Sequence, residues 1–330
     1  VTELLSPIEL AAGWFETEAA AQRRHIKPFS EARRRFVREA QADNIVTIGV
    51  PQFDYEMRGL GRGELAMVVG FTHNGKTQLT VNVVHRNHDA RILWFSPDET
   101  EALVFIKLAS LVAGVPAREL EYRARYGDRD VLRLLDQVEQ EFPNLHIVHA
   151  PLTQRVLREA TEEAHDEWGD PADLVIIDYL ELLRGHDMAS KADSVKAFGI
   201  EHQVPLWVLH QVSRSAGRNG QKMGIDSGNF GGETWATFVI GVWRKKHDLS
   251  FQLFELERKE NKAQWQYDRM DALRYEMGIH EFTVTVNMSK NKRPGGRTME
   301  DGVDFELLSH SGEMRLLNGD LPTQYRRYGG

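Results

Sequence analysis

The chain of 330 residues carries 41 Lys and Arg against 49 Asp and Glu, a formal charge of −8 that argues against a surface coating nucleic acid throughout but allows a local basic channel. It has no cysteine, which excludes disulfides, thiolate zinc sites and thiol nucleophiles, so any catalytic metal must use oxygen or histidine ligands. No apolar run approaches the ~20 residues of a membrane span and no signal-peptide pattern opens the chain, so a cytoplasmic protein without membrane contact is expected.

Residues 1–42 show helical patterns with a sparse apolar face, which suits a docking arm rather than a domain with its own core. Residues 43–330 read as one α/β domain. From Ile45 to Gly63 the sequence predicts a short strand and then glycine-punctuated turns, which lead to the apolar run 65–69, a buried strand followed by a helix over 78–87. Further apolar runs recur at 92–96, 145–149, 174–178, 205–211 and 236–243, separated mostly by helical patterns at 99–113, 117–141, 153–168 and 190–202. Continuous apolar strands alternating with helices predict a mainly parallel sheet covered on both faces. Residues 249–280 break the rhythm as a charged helical insertion. Alternation at 281–288, 303–308 and 314–317, with a turn at Pro294, predicts antiparallel edge strands.

Between the strand at 65–69 and its helix stands Gly70-Phe-Thr-His-Asn-Gly-Lys-Thr77, which fits G-x-x-x-x-G-K-[ST]. Glycine at both ends lets the backbone curl and aim its N–H groups at phosphate oxygens, with the positive end of the helix behind them. Gly70, Thr72, His73, Asn74, Gly75, Lys76, Thr77 and Gln78 are thus the candidate nucleotide-binding residues. Lys76 would reach the β- and γ-phosphates, and the Thr77 hydroxyl would ligate the accompanying Mg²⁺.

Asp178 ends the most hydrophobic strand, at the sheet's carboxyl edge, and suits an acid that holds Mg²⁺ through water. Asp98 and Glu99 follow the strand at 92–96, which is expected to lie beside the phosphate-loop strand; either could orient an attacking water. Gln211 ends the strand after Asp178 and could hydrogen-bond a γ-phosphate. Residues 212–222 form a glycine-containing basic loop in which Arg214, Arg218 and Lys222 suit contact with a nucleic-acid backbone. Basic residues also cluster at 243–246 and 290–297, where a solvated face is the simpler reading.

These residues, in this order, resemble the RecA-like motor domain of DnaB-type replicative helicases, especially shortened forms encoded by bacteriophages. The resemblance covers roughly 43–317. It rests on the phosphate loop and its lead-in, Phe95-Ser-Pro-Asp-Glu99, Asp173-Leu-Val-Ile-Ile-Asp-Tyr-Leu-Glu-Leu-Leu183 and Val204-Pro-Leu-Trp-Val-Leu-His-Gln-Val-Ser-Arg214. It implies a RecA-like P-loop NTPase fold, ATP with Mg²⁺ as cofactors, and ATP hydrolysis driving helicase or translocase movement on single-stranded or forked DNA. It further implies a homo-oligomeric ring, commonly a hexamer, with ATP between neighbours. Basic loops, including Arg214, Arg218, Lys222 and Asn229, would face a central channel. Lys290, Lys292 and Arg293 fall where the family inserts basic fingers into the neighbour's site, although a lysine, Lys292, stands at the usual arginine. The family's catalytic glutamate aligns with Asp98 and leaves Glu99 one place on. Residues 1–42 leave no room for the family's separate N-terminal domain, so ring closure and primase binding stay open. The alternatives are a RecA-like DNA-processing protein without processive movement, such as a recombination factor or a metal-dependent, structure-specific nuclease, or, less favoured, an ATPase acting on proteins.

Overall fold

A computed structural model describes residues 28–41, 46–185, 187–212 and 234–317. The chain divides into two compact units, Val1–Asp43 and Asn44–Gly330. In the first, α1 (Phe29–Ala40) buries no residue; Arg35 and Glu39 pair at 2.6 Å, one turn apart, and Phe29 and Phe36 are exposed. A helix with no buried face gains little from packing inside its own unit.

The second unit is built on strands β1 (Leu65–Gly70), β2 (Ile92–Phe95), β3 (Leu145–Val148), β4 (Leu174–Ile177), β5 (Leu206–Gln211), β6 (Phe238–Arg244), β7 (Thr283–Asn291), β8 (Met299–Leu307) and β9 (Met314–Leu316). Among the described residues they form one sheet in the order β3-β2-β4-β5-β1-β6-β7-β8-β9. Pairing is parallel from β3 through β6 and antiparallel from β6 to β9, as expected; but β7 and β8 each have a strand on both sides, so of the three alternating segments only β9 is an edge strand among the described residues.

Successive residues of the central strands feed opposite faces. Ala66, Val68, Trp94, Ile176 and Trp207 join one core with Leu79 and Val83, whereas Met67, Val69, Phe95, Val175 and Val208 join another with Leu157, Val195 and Phe198. Each large apolar side chain so enclosed contributes about 1.5–3 kcal/mol relative to exposure. The first face carries α2 (Pro51–Met57), α3 (Lys76–Arg86), α4 (Glu101–Ala113), α5 (Ala117–Arg125) and α6 (Arg129–Glu141). The second carries α7 (Gln154–Trp168) and α8 (Met188–Glu201).

Several expectations are corrected. The segment at 46–50 is not a strand: the Asn87 side chain accepts from Thr47 N and donates to Thr47 O, and Asp54 accepts from Ile48 N. Side chains thus take the backbone bonds a ladder would use, and Pro51 then starts α2, where its fixed φ fits the first helical position. The pattern at 117–141 is two helices, because the chain turns at Gly127 with φ 69° and Asp128 caps α6. The insertion is two helices, α9 (Lys245–Glu257) and α10 (Gln264–Ile279), so the basic cluster at 243–246 is the junction of β6 and α9 rather than a free face. Finally, β2 does not lie beside β1, since β4 and β5 stand between them. Among the described residues no helix is long and apolar enough to cross a membrane.

Candidate nucleotide site

The phosphate loop leaves the carboxyl end of β1 and enters α3 at Lys76. A Cβ on Gly70 would lie 2.4 Å from the Val242 carbonyl oxygen of β6, so only glycine passes there, and Gly75 adopts φ 98°. Lys76 is buried, and its ammonium donates to Gly70 O at 2.8 Å and Phe71 O at 3.0 Å. Its Nζ also stands 5.5 Å from the centre of the Tyr179 ring. Burial lowers the ammonium to about 8 against the opposing charges of Glu181 and Asp178. The Thr77 hydroxyl lies 3.2 Å from the Tyr179 hydroxyl.

Asp178 follows β4, and its main-chain N–H donates to Phe95 O of β2 at 3.0 Å. The side chain is 3% exposed and its Oδ1 has no hydrogen-bond partner among the described residues. Burial, then the negative charge of Glu99, push the carboxyl up to about 7, opposed by Lys107 and Lys76. A buried carboxylate oxygen without a partner costs free energy unless something positive or hydrogen-donating meets it. With the Thr77 hydroxyl, the donor set is all oxygen and fits a hard divalent cation such as Mg²⁺.

Because β2 neighbours β4, Asp98 and Glu99 approach the site across Asp178's strand rather than beside the phosphate loop. They are not equivalent. Asp98 is exposed; Glu99 is half-buried, its carboxylate gripped by the Lys107 ammonium of α4, and its charge acts on Asp178 more strongly than that of Asp98. Gln211 lies opposite Gly70 in the β1–β5 register, and its side-chain amide donates to the Thr72 hydroxyl of the phosphate loop at 2.5 Å.

Other loop side chains turn elsewhere. His73 is exposed at φ 64°. Asn74 is buried: its Nδ2 donates to Val242 O at 3.5 Å and its Oδ1 lies 2.7 Å from His247 Nδ1 on α9. A carbonyl can only accept, so Asn74 turns its oxygen to the histidine, whose Nδ1 carries the proton. Gln78 donates to Gly312 O at 2.6 Å, behind the loop.

The basic residues at the end of β7 are far from their own phosphate loop. Phe238 pairs with Ala66 of β1 on one side and Asn291 on the other, so 290–293 sit level with the amino end of β1. Gly70 is four residues further along β1, roughly 13 Å at ~3.3 Å per residue. Lys290 and Lys292 both donate to Thr234 O, at 3.1 and 3.2 Å. Arg293 is held within its own chain: it bonds Met57 O, Gly59 O and Glu64 Oε2, the last at 2.7 Å. Arg214, Arg218, Lys222 and Asn229 lie outside the described residues.

The profile of the DnaB-like helicase C-terminal domain matches residues 46–228, more than half of the chain. The chain belongs to this DnaB-like helicase family. Its nine-stranded, mostly parallel sheet flanked by helices is the RecA-like ATPase fold of DnaB-type domains. One similar solved structure is a DnaB-like replicative helicase described with its interactions with primase: TM-score 0.62, 16% identity, covering 94% of this chain and 72% of the other. Another, described as an ATPase domain, has TM-score 0.66 and 17% identity, covering 89% of this chain and all of that domain. A comparison with curated proteins gave no match.

Within this DnaB-like domain, sequence reasoning assigns no site role to four residues that the fold brings to the site: Tyr179 under Lys76, Glu181 between Lys76 and the end of β5, Lys107 on Glu99, and His247 on Asn74. Tyr179 and Glu181 stand in the same quoted stretch as Asp178, so their nearness is available from sequence. Lys107 lies eight residues past Glu99 and His247 on a helix 173 residues past Asn74, and no local pattern joins either pair.

Proposed function

We propose that this protein is an ATP-driven motor that moves along single-stranded DNA and opens forked duplex, a DnaB-type helicase in phage DNA replication that works as a homo-oligomeric ring, commonly a hexamer in this kind of assembly. The observation that carries the reading is the separation of the two halves of the site. Lys76, Thr77 and Asp178 converge at the carboxyl end of β1 and β4, whereas Lys290 and Lys292 sit at the opposite edge of the sheet. One chain cannot bring both to one phosphate group, and a head-to-tail neighbour can.

In this reading Lys76 leaves the Gly70 and Phe71 carbonyls to hold the β- and γ-phosphates of ATP. Thr77 and Asp178 hold Mg²⁺, which when bound neutralises charge on the phosphate oxygens. Glu99, whose charge acts on Asp178 more strongly than that of Asp98, orients the attacking water, with Lys107 fixing the carboxylate. Gln211 bonds the γ-phosphate from β5, and the basic residues after it contact the DNA backbone. Lys290 and Lys292 supply positive charge in trans. The N-terminal arm docks on a neighbouring copy: α1 exposes Phe29 and Phe36, and an apolar cavity of about 560 Å³ between α4, α5 and α6, lined by Phe105, Ile106, Leu120 and Leu135, offers a seat. The reading is tested by unwinding of a forked duplex. Strand separation should require ATP and vanish in Lys76→Ala; separation that proceeds without ATP sinks the proposal.

A further inference from the structure

We infer that Glu181 is a positioning residue that holds the end of β5 in place of a missing strand, so that the Gln211 amide reaches the phosphate loop and Val212, just past β5, stays bonded to Gly70. The inference rests on the ATPase reading above. In the sheet, β4 pairs with β5 only as far as Ile177 opposite Val208. Beyond that point Leu209, His210 and Gln211 run on beside β1 with no strand on their other side among the described residues. After Asp178 the chain instead forms a short 3₁₀ turn, Leu180–Leu182, and projects Glu181 back toward β5.

Glu181 Oε1 accepts the main-chain N–H of Gln211 at 2.6 Å, the kind of bond a longer β4 would have offered. The same oxygen lies 2.6 Å from His210 Nδ1, so two successive residues of β5 meet one carboxylate. The base of the turn is anchored by Lys191 of α8, whose ammonium donates to Glu181 O at 2.7 Å. Gln211, held on its main chain, spans to Thr72 with its side chain, while Val212 N donates to Gly70 O at 3.2 Å. Glu181 is also the first of the negative charges acting on Lys76, ahead of Asp178. One carboxylate therefore bonds the last residues of β5 while its charge also acts on Lys76. A bond to a charged acceptor is stronger and shorter than a neutral one, so a shift of the turn that carries Asp178 and Glu181 moves the end of β5 with it.

The test uses the full chain with Glu181→Ala, Glu181→Asp and Glu181→Gln, measuring kcat and KM for ATP with and without single-stranded DNA, beside binding of a fluorescent ATP analogue. Aspartate keeps the charge but is one methylene too short; glutamine keeps length and an acceptor oxygen. DNA-stimulated kcat should fall about tenfold in the alanine and aspartate variants, with KM and analogue affinity within about threefold of the parent, and glutamine should restore most of it. Stimulated turnover unchanged in Glu181→Asp, or glutamine as defective as alanine, overturns the inference. Lys76→Ala is run alongside. If it keeps nucleotide binding and turnover, the ATPase reading falls and this inference with it; if it loses both while Glu181→Asp is normal, only the inference falls.

Discussion

Lys76 and Lys292 show how differently one sheet treats two lysines. Lys76 is enclosed at the carboxyl edge of β1, bonded to two loop carbonyls, stacked near Tyr179 and flanked by Glu181 and Asp178. Lys292 is exposed beyond the end of β7, and its ammonium donates to the Thr234 carbonyl at the surface. An enclosed ammonium loses hydration and is worth its burial only where a strong anion meets it; an exposed one keeps its water and can be carried to a target outside its own chain. The first place is preorganised within the chain. The second is positive charge presented outward.

The largest effect expected follows from that division. Lys76→Ala and the double variant Lys290→Ala with Lys292→Ala should each lose about a hundredfold or more in DNA-stimulated ATP turnover. Mixed after dissociation and reassembly, the two inactive proteins should recover a fraction of the activity, because some interfaces then pair an intact loop with intact lysines. Recovery absent from a mixture that demonstrably co-assembles would break the comparison.

The next effect sharpens the first half. Glu99→Gln should cost about a hundredfold in kcat with nucleotide affinity kept, whereas Asp98→Asn should cost no more than about tenfold. The reverse order would return the base to Asp98, the position that the family resemblance favours.

Stability should separate the halves as well. Arg293→Ala removes a guanidinium bonded to Glu64 and to two carbonyls that close the entry to β1, and should destabilise by about 2 kcal/mol in denaturant melts while the folded fraction keeps its ATP affinity. Asp178 should act the other way. The folded protein holds its carboxyl to about 7, and that of Asp54 to about 6, against 3.8 for the unfolded groups. Between about pH 4 and 7 the folded state therefore binds more protons, and raising pH through that window removes stability. Asp178→Asn should flatten the upper part of the loss and stabilise the nucleotide-free protein at pH 8 by about 2 kcal/mol, while abolishing hydrolysis. An unchanged melting profile across pH 5–8 in the variant would show that Asp178 titrates normally.

The order in which parts of this fold can be read from sequence has a physical basis. A buried strand between two helices must be apolar along its length, so β1, β2, β4 and β5 announce themselves, as does the glycine-lysine loop that no other local structure requires. The alternation of β7 and β8 is likewise written in their side chains. Strand order is not: the connection from α3 to β2 is sterically similar whether β2 lies next to β1 or beyond two other strands, which is why the pattern alone misplaces Asp98 and Glu99. The segment at 46–50 imitates a strand because its apolar residues are buried as a strand's would be, while its bonds come from Asn87 and Asp54. Lys290, Lys292 and Arg293 form one basic cluster in sequence, yet the Glu64 carboxylate separates Arg293 from its neighbours in role, through a contact 229 residues away.

The helix behind the phosphate loop is closed from an unexpected direction. Gln78 and Asn82 of α3 both donate to Gly312 O, at 2.6 and 3.0 Å, and Asn82 accepts Met314 N–H at 3.0 Å. Two residues of α3 are thus clasped by the turn between β8 and β9. During synthesis the loop at 70–77 leaves the ribosome long before that turn exists, and a nascent chain stopped short of residue 312 holds the nucleotide-binding sequence without its clasp. The final packing of α3, and with it of the loop it follows, therefore waits for residues 312–314, 230 or more positions further along the chain.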